Sequence, residues 1–234
     1  MCIRDRAYTK QPIPEGVRSS YEKTNYLHYT FSMAGQKISK IFVNSEEHGV
    51  QNVSMNIYVM ERKLLIDEIK KGFVLGNKFF ERDVLAPQTE KLNIQGYEFT
   101  GYQARIDDMK SYFDENMKLL KDENLDSLFS GNPIYTKVRD DNPTRYINGS
   151  KAKNVMVADG CVIEGEIENS ILFRGVKVAK GAKVKNCILM QDTVIEAGAE
   201  IEYVVSDKYV TVSEGKQLKG TDSFPVFIAK DQVV

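Results

Sequence analysis

In the last third of the chain, a glycine flanked by aliphatic residues six positions apart returns at a fixed interval of seventeen. Val178-Ala-Lys-Gly-Ala-Lys-Val184 recurs as Ile195-Glu-Ala-Gly-Ala-Glu-Ile201 and again as Val212-Ser-Glu-Gly-Lys-Gln-Leu218. A second block, Ile167-Glu-Asn-Ser-Ile-Leu172, returns as Val184-Lys-Asn-Cys-Ile-Leu189 and more loosely as Ile201-Glu-Tyr-Val-Val-Ser206. An aliphatic residue at every sixth position puts one inward side chain on each face of a triangular coil. Gly181, Gly198 and Gly215 then supply a corner that needs a compact or left-handed residue. Stacking such coils buries a continuous aliphatic column. An antiparallel sandwich does not explain a glycine column at one phase, so the spacing predicts a left-handed parallel β-helix of hexapeptide-type coils. Val157-Ala-Asp-Gly-Cys-Val-Ile163 reads as an earlier copy of the Val178 block, displaced by a four-residue insertion over Glu164 to Ile167.

The segment before the repeat has a different texture. Tyr26 to Phe31 and Lys40 to Val43 read as strands with Gly35 turning between them, and Val53 to Val59 as a mostly apolar strand. Leu64, Leu65 and Ile69 fall at helical spacing over Arg62 to Lys71, with Gly72 as the stop. Tyr97 to Tyr102 alternates like a strand. Asp107 or Asp108 then caps a helix with the apolar stripe Met109, Tyr112, Phe113, Met117 and Leu120. Gly131, Pro133 and Pro143 mark the stretch from Asn124 to Gly149 as a linker. The chain is thus α/β followed by all-β.

Charge and composition narrow the partners. A net charge of −1 over 234 residues gives no basic field for nucleic acid and no polybasic tail for a membrane surface. No apolar run approaches the roughly 20 residues of a spanning helix, and no secretory signal is present, so the cytoplasm is the expected compartment. Three cysteines are too few for a disulfide framework or a zinc site; Cys161 and Cys187 fall at interior or corner positions of the repeat and read as small buried hydrophobes. A β-helix of this kind first suggests a hexapeptide-repeat acyltransferase, which uses a histidine base beside the coils. The only histidines, His28 and His48, lie far upstream of the repeat, which counts against that chemistry.

Several segments together resemble one family. Ser54-Met-Asn-Ile-Tyr58, then Gly101-Tyr102 before a helix with Ser111-Tyr112 and Asn116-Met117, then a β-helix, is the order of bacterial glucose-1-phosphate adenylyltransferase. The match is closer to its non-catalytic D-type glycogen-biosynthesis subunit, through Pro133-Ile-Tyr-Thr-Lys-Val138, Ala158-Asp-Gly-Cys161, Ile163-Glu-Gly165, Asn169-Ser-Ile-Leu-Phe-Arg-Gly175 and Ser206-Asp-Lys208. The resemblance implies the C-terminal portion of a Rossmann-like nucleotidyltransferase domain over residues 7–125, a linker over 126–149 and the β-helix over 150–234. The opening six residues fit none of this and resemble a scar of gene prediction. No glycine-rich phosphate loop precedes Tyr26, so the resemblance also implies a C-terminal fragment.

The departures from the family bear on chemistry. Catalytic relatives carry Gly-Tyr-Trp, a basic residue and then Asp-Val-Gly, whose aspartate helps bind metal. Here the stretch reads Gly101-Tyr-Gln-Ala-Arg-Ile-Asp107, placing Arg105 at the metal carboxylate; a guanidinium repels Mg2+. Asp107, two positions on, is expected to cap the helix. Catalytic relatives also have Glu-Lys-Pro ahead of the Ser-Met-Gly strand, whereas Phe42 to His48 offers no lysine, and Asn56 replaces the glycine. Ser54, Asn56, Tyr102 and Arg105 therefore mark a degenerate sugar-phosphate site. No cofactor is expected in this chain, with Mg2+ belonging to the catalytic partner. The implied role is a regulatory subunit paired with a catalytic adenylyltransferase subunit, with Arg174, Lys177 and Lys180 as candidates for a phosphorylated effector. The alternatives are the acyltransferase and a nucleotidyltransferase-like scaffold.

Overall fold

The computed structural model describes residues 2–13 (backbone only), 29–45, 49–131, 134–135 and 139–234, in two compact units, 1–101 and 102–234. His28, His48, the start of the strand expected from Tyr26, and Pro133 with Thr136 to Val138 lie outside the described residues.

Among the described residues, the first unit is a five-stranded sheet. Strands β1 (Cys2–Ile13), β2 (Tyr29–Ala34), β3 (Lys37–Val43), β4 (Gly49–Tyr58) and β5 (Asn93–Glu98) run in the order β1-β4-β2-β3-β5, and β1 also pairs parallel with β5 to close it. Gly35, at φ 64°, turns β2 into β3 as its sequence suggests. At the start of β1, Cys2 pairs with Asn93 and Ile3 with Ile94 of β5. β5 starts earlier than the alternation at Tyr97 implies, because Ile94 and not a later residue is the fully buried position. Phe31, Ile38, Leu64, Leu85 and Ile94 form the core.

Helix α1 (Arg62–Leu75) runs one turn past its expected end. Leu64, Glu68 and Gly72 make its buried stripe at four-residue spacing. The stop is Gly76, whose φ of 71° lets its N–H reach back to the carbonyls of Gly72 and Phe73. A π-helical turn, Phe80–Leu85, follows and passes into a 3-10 turn at Ala86–Gln88. Asp83 fastens that turn: its carboxylate accepts the N–H groups of Lys78 and Phe79, both at 2.9 Å, and Arg82 Nε at 2.6 Å. The Arg82 guanidinium and those two amides hold the Asp83 carboxyl well below the usual carboxylate range.

Among the described residues, the second unit carries helices α2 (Met109–Lys118) and α3 (Asp122–Phe129) and thirteen short strands. These are β6 (Arg145–Tyr146), β7 (Lys151–Val157), β8 (Val162–Ile163), β9 (Glu166–Leu172), β10 (Lys177–Val178), β11 (Lys183–Lys185), β12 (Ile188–Leu189), β13 (Val194–Ile195), β14 (Glu200–Glu202), β15 (Val204–Ser206), β16 (Thr211–Val212), β17 (Gln217–Lys219) and β18 (Val226–Ile228). Within the repeat all named strand pairs are parallel, and they stack as three faces. The first is β6-β8-β10-β13-β16; the second is the first half of β7 and β9 with β11, β14 and β17; the third is their second half with β12, β15 and β18. The chain is a β-helix, as the repeat predicts.

Most corners carry a left-handed residue. One corner column is Gly181, Gly198 and Gly215; a second is Asn154, Asn169, Asn186 and Tyr203; a third is Gly160, Gly175, Asp192 and Tyr209. Glycine and asparagine tolerate this region at least cost. The inner columns are aliphatic: Ile163, Val178, Ile195 and Val212 on the first face, Ile167, Val184 and Ile201 on the second, all at most 2% exposed. Along the second face the outward residues pair between coils: Lys151 with Glu166 (2.6 Å), Lys153 with Glu168 (3.1 Å) and Lys183 with Glu200 (2.8 Å). Such exposed pairs each contribute less than about 1 kcal/mol and serve register more than stability.

The register of the early coil corrects the sequence reading. Val157 pairs with Leu172, and Ile163 with Val178, so Val157 to Ile163 is the neighbour of the block ending at Val178, not an earlier copy of the block beginning there. Ile167 in turn sits beside Val184. The interval across this coil is therefore fifteen where its neighbours keep seventeen (Arg145 to Val162, Ile167 to Val184), a shortening and not an insertion, and only the last coil lengthens, from Val204 to Val226. The shortened corner is Glu164-Gly165. A Cβ on Gly165 would lie 2.4 Å from Ala182 O and 2.8 Å from Ala179 O, so the corner can tuck under the next coil only because it has no side chain there.

The two helices also differ from expectation. The stretch read as a linker from Asn124 is helical through Phe129, with Asp122 and Glu123 at its positive N-terminal end. Helix α2 belongs to the β-helix unit. The aliphatic pairs of the repeat point one residue in and one out, and Phe113, with Met109, Tyr112 and Met117, covers the outward Ile188 and Val205. Asp108 is its cap: its side chain accepts the Ser111 N–H at 2.7 Å, while Ser111 Oγ accepts the Asp108 N–H at 3.0 Å. That hydrogen bonding holds the Asp108 carboxyl below its ordinary range. A depressed carboxyl stabilises above the unfolded aspartate range and less as pH falls through its folded value. Asp108→Ala is expected to cost about 1 kcal/mol at pH 7. In urea melts that difference from wild type should shrink as the pH is taken down through the acid range.

Candidate functional site

The residues singled out by the resemblance fall into both units. Ser54 and Asn56 lie on β4. Asn56 takes the left-handed backbone (φ 56°), so asparagine keeps the conformation that glycine would adopt there while adding an amide. Ser54 Oγ donates to Glu81 Oε1 at 2.9 Å and accepts the Asn56 N–H at 3.1 Å. With Ser54 Oγ and both Glu81 oxygens as neighbours, the Asn56 amide must present its nitrogen. Nδ2 then lies 3.0 Å from Glu81 Oε2 and 3.2 Å from Oε1. Ser54 and Glu81 are 7% and 6% exposed while Asn56 is exposed, so a buried hydroxyl and a surface amide converge on one carboxylate. Glu81 was not legible as part of it. It stands 27 positions from Ser54 in a Phe-Phe-Glu-Arg-Asp segment that reads as surface.

Tyr102 and Arg105 belong to the second unit. The Tyr102 hydroxyl donates to Glu115 Oε2 at 3.4 Å, and Glu115 also holds Lys118 at 2.6 Å. Partial burial, with the Glu115 charge added, raises the Tyr102 phenol above its usual range. Arg105 Nε donates to Asp107 Oδ2 at 2.8 Å, and both side chains are about one quarter exposed. Asp107 is thus not the helix cap that its position suggests; Asp108 takes that role and leaves the Asp107 carboxylate to the guanidinium. A carboxylate held this way beside a fixed positive charge is a poor ligand for a divalent cation. Among the described residues, no group of three or more His, Cys, Asp or Glu is placed to hold a metal ion.

The three basic effector candidates lie along one coil of the β-helix. Arg174 is half-buried, with Nε 3.8 Å from Asp141 Oδ2. Lys177 faces outward from β10, and Lys180 is exposed on the turn before Gly181.

Cys161 and Cys187 behave as core. They are 1% and 0% exposed, and burial pushes the Cys187 thiol up to about 12. Iodoacetamide at neutral pH is expected to leave Cys187 unmodified in the folded protein and to label it once urea unfolds the coils. Peptide mass mapping reads this directly.

Comparison with known proteins adds a second line. A family model for a GlmU-like C-terminal hexapeptide domain matches residues 137–223. The glycogen biosynthesis protein GlgD of Bacillus subtilis is 41% identical over 181 residues, covering 77% of this chain and 52% of the relative. GlgD of Geobacillus stearothermophilus is also 41% identical, over 56% of the chain and 38% of the relative. A glucose-1-phosphate adenylyltransferase of Clostridium perfringens is 29% identical over 205 residues, covering 78% of the chain and 48% of the relative. The chain therefore spans about half the length of the curated relatives it matches. No helix among the described residues is long and apolar enough to cross a membrane. A hexapeptide β-helix preceded by a Ser-Met-Asn-Ile-Tyr strand and an altered Gly-Tyr segment, in a chain with these relatives, places it in the glucose-1-phosphate adenylyltransferase family, with the glycogen biosynthesis protein GlgD among its near relatives.

Proposed function

We propose that the chain is part of a non-catalytic, regulatory subunit that assembles with a catalytic glucose-1-phosphate adenylyltransferase and supports ADP-glucose synthesis from ATP and glucose 1-phosphate in glycogen biosynthesis. The observation that carries this reading is the Arg105–Asp107 pair. It stands where the resemblance expects a metal carboxylate, and it turns a cation site into a neutralised ion pair. The Ser54–Asn56–Glu81 cluster supports it from the other unit, since its donors already serve a carboxylate. The similarity to GlgD over 77% of the chain supports the pathway.

In a catalytic partner the reaction would be an in-line nucleotidyl transfer with pyrophosphate as the leaving group, and Mg2+ would supply charge neutralisation at the phosphates. On this reading Mg2+ belongs to that partner. The β-helix contributes assembly contacts, and a phosphorylated effector would meet Arg174, Lys177 and Lys180 through charge-assisted hydrogen bonds. The protein is taken to work in the cytoplasm. The test is co-expression of the tagged protein with a catalytic adenylyltransferase subunit of the same source. Co-elution as one hetero-oligomer is expected; separate elution of the two folded proteins overturns the reading.

A further inference from the structure

We propose that the second face of the β-helix is a self-association surface on which two copies of this chain dock with their coil axes antiparallel. The proposal goes beyond the regulatory reading and does not depend on it. It rests on the order of the charges along that face. The outward residues are Lys151 and Lys153 on β7, Glu166 and Glu168 on β9, Lys183 and Lys185 on β11, and Glu200 and Glu202 on β14. Each row carries one sign, and the sign alternates from coil to coil. Pairing within the chain needs opposite charges in neighbouring coils, but it does not need like charges side by side on one strand. The bands are what a second copy can read.

A two-fold axis lying in this face, along the strands and between β9 and β11, lays the four rows on one another in reverse order. Glu166 and Glu168 then face Lys183 and Lys185 of the second copy, and Lys151 and Lys153 face its Glu200 and Glu202. Every charge meets the opposite sign. Coil axes parallel and level would set each row against itself, lysine on lysine and glutamate on glutamate, so the charges select the antiparallel arrangement. The face is open to receive a partner: the lysines are more than half exposed, the glutamates about a third to a half. Pairs within the chain join β7 to β9 and β11 to β14, the last being Lys185 with Glu202 at 3.9 Å. Docking adds β9 to β11 and β7 to β14, so each side chain gains a second opposite charge after it is already ordered by the first. A network of that kind is worth more than the same pairs taken singly.

The experiment is sedimentation equilibrium on the full chain, with a thermal melt on every variant. Wild type at about 100 µM is expected to be largely dimeric in about 0.05 M salt and to shift to monomer in about 0.5 M, because exposed charges are screened. Lys183→Glu with Lys185→Glu, and separately Glu166→Lys with Glu168→Lys, should each weaken the dimer at least about tenfold. Mixed in equal amounts, these two variants should restore it, since each altered row then faces its opposite in the other chain. Lys183→Gln with Lys185→Gln, which removes the charge without reversing it, should also weaken the dimer and carries the test if a reversed row does not fold. A wild type that stays monomeric in low salt overturns the proposal, including one whose face is taken up by a catalytic subunit instead. So does a dimer that ignores the reversals, or a mixture of folded variants that fails to restore it. The subunit role fails by a different observation, the absence of association with a catalytic partner.

Discussion

Gly165→Ala is expected to destabilise the protein by about 3 kcal/mol, the upper end of the cost of overpacking, and to lower its melting temperature by roughly 10 °C. The added methyl would sit 2.4 Å and 2.8 Å from two backbone carbonyls, Ala182 O and Ala179 O, and 3.0 Å from Val178 Cγ1. Backbone cannot swing aside as a side chain would, so the coils must part where β8 hands over to β9. Gly198→Ala is the matched control. Its corner is open, with nothing within 4 Å of a Cβ, and only its left-handed φ of 67° opposes a side chain. It should cost about 1–2 kcal/mol. Differential scanning calorimetry on the two variants separates the shortened corner from an ordinary one.

Leu189→Ala is expected to cost about 2–5 kcal/mol, the transfer loss plus the cavity left behind. Leu189 is 0% exposed and lies in the inner column of the third face, paired with Leu172 on one side and Ser206 on the other. Stacked coils relax poorly, because each inward position is fixed by hydrogen bonds to the coils above and below. An exposed change on the same domain, Lys153→Ala, removes only a surface pair with Glu168 and should stay within about 0.5 kcal/mol. Urea unfolding at pH 7 measures both.

The seventeen-residue period made the β-helix legible because its physics is local. A glycine corner and an aliphatic at six-residue spacing each mean the same thing in every coil. The shortened coil was misread for the same reason. Val157 to Ile163 looks like the Val178 block by composition, and only interstrand pairing shows that it stacks on the block before it. The helix over Met109 to Lys118 was visible as an amphipathic stripe, but what the stripe covers, Ile188 and Val205, is a tertiary fact. The same limit governs the candidate site. Arg105 stands out by its motif, yet its pairing with Asp107 required knowing that Asp108 is the cap. Glu81 had no local signal, since a turn and a strand distant in sequence bring it to Ser54.

On the proposed reading, this protein assists adenylyl transfer without performing it. The most direct test of that reading is ADP-glucose formation from ATP, Mg2+ and glucose 1-phosphate, measured for the protein alone, for a catalytic subunit alone and for the two together. The expected result is no product above background from the protein alone and a changed rate or effector response when it joins its partner. Turnover by the protein alone, or a partner whose rate is the same with and without it, would contradict the account.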